Sequence, residues 1–179
     1  MSLSWPKGLK DMVIRPLVWQ DKDKIRQLLE QRSTFNKKEI EVAVELVDEA
    51  LRFPEREEYH VACAIDPPDS LAGYICFGPI PMTDACYDLY WIVVDEKYSR
   101  NGIGGRLVEF MEKDVVKKKA RHIYVDTSSA RGYDAARSFY EKHGYRVVCV
   151  LKDFYREDDH KMIYMKELGH CLNRTHQIP

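Results

Sequence analysis

Apolar positions along the 179-residue chain recur with two different periods, and the changes between them predict the elements. Met12-Val13-Ile14-Arg15-Pro16 is a short β-prone run closed by a proline, which predicts a first strand. From Asp21 to Arg32, Ile25, Leu28 and Leu29 fall at helical spacing. A second helix is predicted from Lys37 to Arg52: Ile40, Ala43, Val44, Val47, Ala50 and Leu51 share one face, and Pro54 stops it. Tyr59–Ile65 and Leu71–Phe77 read as a hairpin around Asp66–Ser70, its second strand ended by Gly78-Pro79. Tyr87–Val94 is apolar and aromatic with little alternation near its end, the pattern of a strand covered on both faces. Helices from Gly104 to Lys119 and from Asp134 to His143 flank a strand at His122–Asp126. Tyr145–Leu151 and Lys161–Leu168 close the pattern as two strands, with Glu157–His160 as the exposed turn between them.

The order β-α-α-β-β-β-α-β-α-β-β predicts an α/β fold of the α+β type. It is a single-domain mixed sheet of about seven strands flanked by about four helices. The crossover from Tyr87–Val94 through its helix to His122–Asp126 predicts a parallel pair. Residues 1–168 are expected to form the domain, and 169–179 a mobile polar tail.

Composition narrows the class without naming a chemistry. A 21.0 kDa chain with 45% hydrophobic and 32% charged residues is globular, and long enough for one core. Lys plus Arg number 28 against 29 Asp plus Glu, which argues against nucleic acid as a partner. No apolar run approaches the roughly 18 residues of a membrane span, and no secretory pattern precedes the first strand. These features predict a soluble cytoplasmic domain with no membrane partner. Cys63, Cys76, Cys86, Cys149 and Cys171 form no closely spaced pair, and Cys63, Cys76 and Cys149 lie in apolar runs. They read as small buried hydrophobes, and no metal site is expected.

The candidate chemistry lies where the aromatic strand turns into a helix, at Ser99-Arg100-Asn101-Gly102-Ile103-Gly104-Gly105-Arg106-Leu107. Glycines before a helix start turn backbone N–H groups toward a ligand, and the helix N-terminus adds its dipole: an anion site suited to phosphate. A dinucleotide fingerprint would need a further glycine where Leu107 stands, and no Gly-Lys-Ser/Thr follows for a P-loop. This weighs against a nucleotide-binding oxidoreductase.

What remains resembles the acyl-coenzyme A signature Q/R-x-x-G-x-G/A of the GCN5-related N-acetyltransferases, with Gly102 and Gly104 at its glycine positions. Ser99 stands where the family usually carries Arg or Gln. A second stretch, Ala136-Arg137-Ser138-Phe139-Tyr140-Glu141-Lys142-His143-Gly144-Tyr145, resembles the family pattern A-x-x-F/L-Y-x-x-x-G-F/Y.

The resemblance implies acetyl-coenzyme A as cosubstrate and an N-acyltransferase that moves the acetyl group to an amine by direct attack. It implies that backbone groups of Ile92, Val93 and Val94 hold the pantetheine arm. The pyrophosphate would lie on Ser99, Arg100, Asn101, Gly102, Ile103, Gly104 and Gly105. Ala136 and Phe139 would pack near the coenzyme, and Tyr140 would be the general acid for the departing thiolate. The base is left open among Asp88, Asp126, Glu58 and His60. The acceptor is a small-molecule or peptide amine; a homodimer is compatible with the family, though no sequence feature demands one. A non-catalytic acyl-coenzyme A binding module is the competing reading, mildly favoured by Ser99 and opposed by Tyr140. The aromatics Tyr74, Phe77, Tyr87, Tyr90 and Trp91 read as core. The acidic run Glu55, Glu57, Glu58 reads as a solvated loop.

Overall fold

The computed structural model describes residues 11–169. Cys171 and most of the expected tail lie outside these residues. The strands are β1 (Val13–Pro16), β2 (His60–Asp66), β3 (Ser70–Pro79), β4 (Cys86–Val94), β5 (His122–Ser128), β6 (Arg146–Arg156) and β7 (Asp159–Glu167). The helices are α1 (Asp21–Glu30), α2 (Lys37–Arg52), α3 (Ile103–Lys117) and α4 (Asp134–Lys142). The seven strands form one mixed sheet in the order β1-β2-β3-β4-β5-β7-β6. The fold is the mixed, helix-flanked α/β sheet that the element order predicts. Among the described residues no helix is long and apolar enough to cross a membrane.

Contacts divide the chain into two compact units: residues 11–78 with 90–112, and residues 79–89 with 113–169. The chain passes from one to the other at the end of β3, along β4 and along α3.

The first unit is built on local signals that agree with its packing. At the start of α2 the Asn36 side chain accepts from the Glu39 N–H at 3.0 Å, and the Glu39 carboxylate accepts from the Asn36 N–H at 2.7 Å. This capping box satisfies two end groups of the helix, worth about 1 kcal/mol for the cap alone. Ile25, Leu28 and Leu29 of α1 and Ala43, Val44 and Val47 of α2 are buried against Val61, Cys63 and Ile65 of β2 and Tyr74 of β3. Each such aliphatic side chain contributes roughly 1.5–3 kcal/mol on burial. Asp21, fully buried, accepts from both guanidinium nitrogens of Arg15 at 2.6 and 3.0 Å, and from the Val18 N–H at 3.0 Å. Burial pushes the Asp21 carboxyl up, but these hydrogen bonds and the Arg15 charge outweigh it and hold it below the usual carboxylate range.

The second unit begins with the parallel pair. It covers Cys86–Asp88 against His122–Tyr124, the first three residues of strands that continue to Val94 and Ser128. β5 then pairs antiparallel with β7 along its whole length, and β7 with β6.

Three local expectations are corrected. β3 does not end before Gly78 but runs to Pro79. A side chain at Gly78 would run into the Glu58 carbonyl, so this glycine permits close backbone packing rather than a turn. The β6–β7 connection is only Glu157-Asp158, with Asp158 at φ 60°. Asp159 is buried on β7, where it accepts from Ser128 Oγ and from Arg156 Nε at 3.1 Å. Cys149 is exposed rather than buried, because every residue of the edge strand β6 is exposed; Cys63 and Cys76 are buried as expected, and Cys86, outside the apolar runs, is buried too.

Candidate functional site

The end of β4 is held by side chains and backbone from elsewhere in the first unit. Val93 is buried, and the Val94 carbonyl accepts from Arg32 Nη2, while Arg32 Nη1 donates to Glu96 at 2.9 Å. The Asp95 N–H donates to the Ala72 carbonyl at 2.9 Å, and the Asp95 carboxylate caps the short 3₁₀ turn Glu96–Tyr98 by accepting from the Lys97 N–H at 2.8 Å. Tyr98 is buried and its hydroxyl donates to Asp66 at 2.7 Å.

This anchoring leads into the glycine turn. The Ser99 N–H donates to the Glu96 carbonyl at 3.0 Å, so that amide belongs to the turn itself. Arg100 has φ 63° and Gly102 φ 77°, both left-handed. That conformation is strained for arginine and free for glycine. A Cβ at Gly102 would meet nothing within 4 Å, so the glycine is required by its dihedral and the turn faces open space. α3 starts at Ile103, fixed by buried Ile103, Leu107 and Met111. Its first amides, from Ile103 to Gly105, have no carbonyl one turn earlier within the helix to bond. They therefore supply the positive end of the dipole.

In the second unit α4 carries the other motif. Arg137 ties the start of α4 to the end of β5, donating from Nη1 to the carbonyls of Ser128 at 2.6 Å and Ala130 at 3.0 Å, and pairing with Asp134. Tyr140 is buried, with ring centroids 5.7 Å from Phe139, 6.1 Å from Tyr145 and 5.9 Å from Tyr164. Burial pushes its phenol above the ordinary tyrosine range, so the hydroxyl stays protonated at every working pH. Ala136 and Phe139 are half-buried on the same helix. Gly144, at φ 84°, ends it.

Of the four base candidates, Glu58 is exposed and the half-buried His60 ring stacks on Phe77 at 5.3 Å. Asp126 is exposed and bound to Lys161. Asp88 is half-buried, and burial, then the Asp126 charge, push its carboxyl up to about 6, against a smaller opposing effect of Lys161. A carboxylate with that affinity for protons is ionised at neutral pH yet a better proton acceptor than an ordinary one.

Register places these groups on faces. Asp88 is opposite Tyr124, so it shares a face with Tyr124 and Asp126. Tyr140 packs on Tyr164, which is opposite Val125 and therefore on the other face. Among the described residues no cluster of His, Cys, Asp or Glu could hold a metal ion. Sequence reasoning had not singled out Arg32, Arg137 or Lys161; each acts on a residue 9 to 62 positions away, and no local pattern marks it.

A family model described as the acetyltransferase (GNAT) family matches residues 22–145, a span that takes in parts of both units. A GNAT-family chain of Desulfovibrio desulfuricans is 38% identical at a TM-score of 0.84, over 87% of this chain and 98% of that one. The aminoglycoside 6'-N-acetyltransferase of Enterococcus faecium is 25% identical at a TM-score of 0.68, over 87% and 96%. An aminoglycoside 6'-N-acetyltransferase complexed with coenzyme A is 24% identical at a TM-score of 0.68, over 87% and 96%. No curated protein matches in sequence.

Proposed function

The chain belongs to the acetyltransferase (GNAT) family, and on that premise we propose that it transfers an acetyl group from acetyl-coenzyme A to an amine by direct attack. The observation that carries this reading is the turn at Arg100–Gly105. Its left-handed Arg100 and Gly102 aim the chain into a helix start, and the space before Gly102 is open. Backbone amides there suit a pyrophosphate without any basic excess in the chain. Because the Ser99 N–H and the Val94 carbonyl are engaged internally, the reading assigns the pyrophosphate mainly to the amides after Arg100. The pantetheine arm goes to the backbone of Ile92 to Val94, with the Val94 N–H rather than its carbonyl as the contact. Ala136 and Phe139 flank the coenzyme. Residues 1–168 are read as one functional domain, and cytoplasmic placement follows as an expectation of the same reading.

One carboxyl, Asp88, and one phenol, Tyr140, supply the proton chemistry. The amine nitrogen forms a bond to the thioester carbon and gives its proton to Asp88; the C–S bond then breaks, and the thiolate takes the Tyr140 proton. Both groups return to their starting states by exchange with water.

The acceptor is read as a small-molecule or peptide amine. Coenzyme release, followed by a thiol reagent with acetyl-coenzyme A and a panel of polyamines, aminoglycosides and peptide N-termini, tests the whole reading. Turnover with at least one amine is expected. Tyr140→Phe should lower kcat about a hundredfold while calorimetry finds coenzyme binding nearly unaltered. Coenzyme binding with no turnover on any amine would leave the non-catalytic binding module.

A further inference from the structure

Resting on the reading of Asp88 as the base, we propose that Asp126 and Lys161 are positioning residues: a like-charged neighbour, locked in place by a cation, that governs when Asp88 is free to take the amine proton. The geometry is a row across three strands on one face of the sheet. Asp88 of β4 is opposite Tyr124 of β5, and Asp126 is the next residue of β5 on that face. Lys161 of β7 is opposite Ser128, again the same face, and its Nζ pairs with Asp126 Oδ2. Phe154 of β6 covers the other side of the ammonium, with Nζ 5.0 Å from the ring centroid. The Lys161 side chain keeps 21% of its exposure and Asp126 43%, so the pair is half desolvated and holds its place better than a free surface pair. The other titratable or charged groups that register puts on this face are Tyr124 and His122 on β5, Cys86 and Tyr90 on β4, Asp159 and Glu167 on β7, and Arg146, Cys149 and Arg156 on β6; His122 Nδ1 meets Cys86 Sγ at 3.9 Å.

The arrangement gives two charges of opposite sign acting on one half-buried carboxyl. Asp126 opposes ionisation of Asp88, and Lys161 favours it. Lys161 also holds Asp126 at a fixed distance, so removing either partner changes both the charge and the restraint. A carboxyl raised only by burial would respond to neither substitution.

The experiment follows kcat/KM for the acceptor between about pH 5 and pH 9, alongside carbon-detected NMR titration of the Asp88 carboxyl, in the full chain. Asp126→Asn should move the acidic limb and the Asp88 titration down together, toward the ordinary carboxylate range, and weaken the base. The high-pH plateau should then fall by less than about tenfold, against about a hundredfold or more for Asp88→Asn. Lys161→Met should move both readouts up, and Lys161→Arg should restore them. Opposite displacements by the two variants support the proposal. If Asp88 titrates at the same pH in the wild type, Asp126→Asn and Lys161→Met, the proposal is overturned, whatever the rates do. If Asp88→Asn instead keeps full activity and the limb, the base reading fails, while the NMR titration still decides whether the three groups are coupled.

Discussion

The turn at Arg100–Gly105 offers backbone amides set by one short stretch of chain, whereas the proton-bearing groups are side chains from distant elements: Asp88 with Asp126 and Lys161 on one face of β4, β5 and β7, and Tyr140 of α4 against the other. The difference decides how each can be broken. Backbone donors survive most side-chain changes and fail when a dihedral is denied them. Side-chain donors and acceptors depend on register, and a substitution on a neighbouring strand retunes them without touching the reacting group. On the proposed reading the first region would bind by geometry and the second work by proton affinity, so one should respond in donor affinity and the other in rate and pH.

The largest effect expected from breaking the backbone region comes at Gly102. Its φ of 77° is costly for a β-branched side chain, while a Cβ there meets no neighbour within 4 Å. Gly102→Val should therefore act through strain alone, about 1–3 kcal/mol. Expressed against the turn, that cost should raise the acetyl-coenzyme A KM about tenfold with kcat at saturating donor little altered. Calorimetry with coenzyme A checks it. A lower melting temperature with unaltered coenzyme affinity would detach the turn from the donor.

A smaller kinetic effect, at a similar cost in stability, is expected in the side-chain region, where Arg137 holds α4 by its carbonyl bonds to Ser128 and Ala130. Arg137→Ala removes hydrogen bonds from a charged donor, about 1.5–3 kcal/mol of stability. Because Tyr140 rides on the same helix, kcat should fall severalfold while donor affinity holds. Arg137→Lys should recover part of the melting temperature but less of kcat, since one ammonium cannot reproduce the fork that gives Nη1 to the two carbonyls and Nη2 to Asp134.

The same contrast explains what could be read from the residues alone. The turn was legible because its glycines, the strand before it and the helix after it are contiguous. The α4 motif was legible for the same reason. Asp88 stood among four candidates, and nothing in its neighbours along the chain separates it from Asp126. What separates them is half-burial on β4 against exposure beside Lys161, both set by pairing between distant strands. Gly78 was misread because a glycine before a proline normally signals a turn, while here it lets β3 pass close to the Glu58 carbonyl. Asp159 was misread because an acidic residue normally signals solvent, while Ser128 and Arg156 satisfy it on β7. Each miss is a local propensity overridden by a partner that only the folded chain supplies.

The smallest expected effect sharpens the comparison from the other side, by adding a side chain to the backbone region. Ser99 is exposed, and its N–H is committed to the Glu96 carbonyl, so the turn does not need its hydroxyl. Ser99→Arg leaves that amide bond in place and adds a guanidinium beside amides already turned outward. An exposed charge pair of this kind is worth about 0.2–1 kcal/mol, a gain in coenzyme affinity of at most about fivefold. The gain should shrink as ionic strength rises toward about 1 M, where the screening length falls to about 3 Å, while affinity carried by the helix-start amides should fall less. Calorimetry of wild type and Ser99→Arg at low and high salt reads both contributions. If the substituted arginine raised affinity far beyond this range and the wild type lost nearly all binding in salt, side-chain charge rather than the backbone turn would be holding the pyrophosphate.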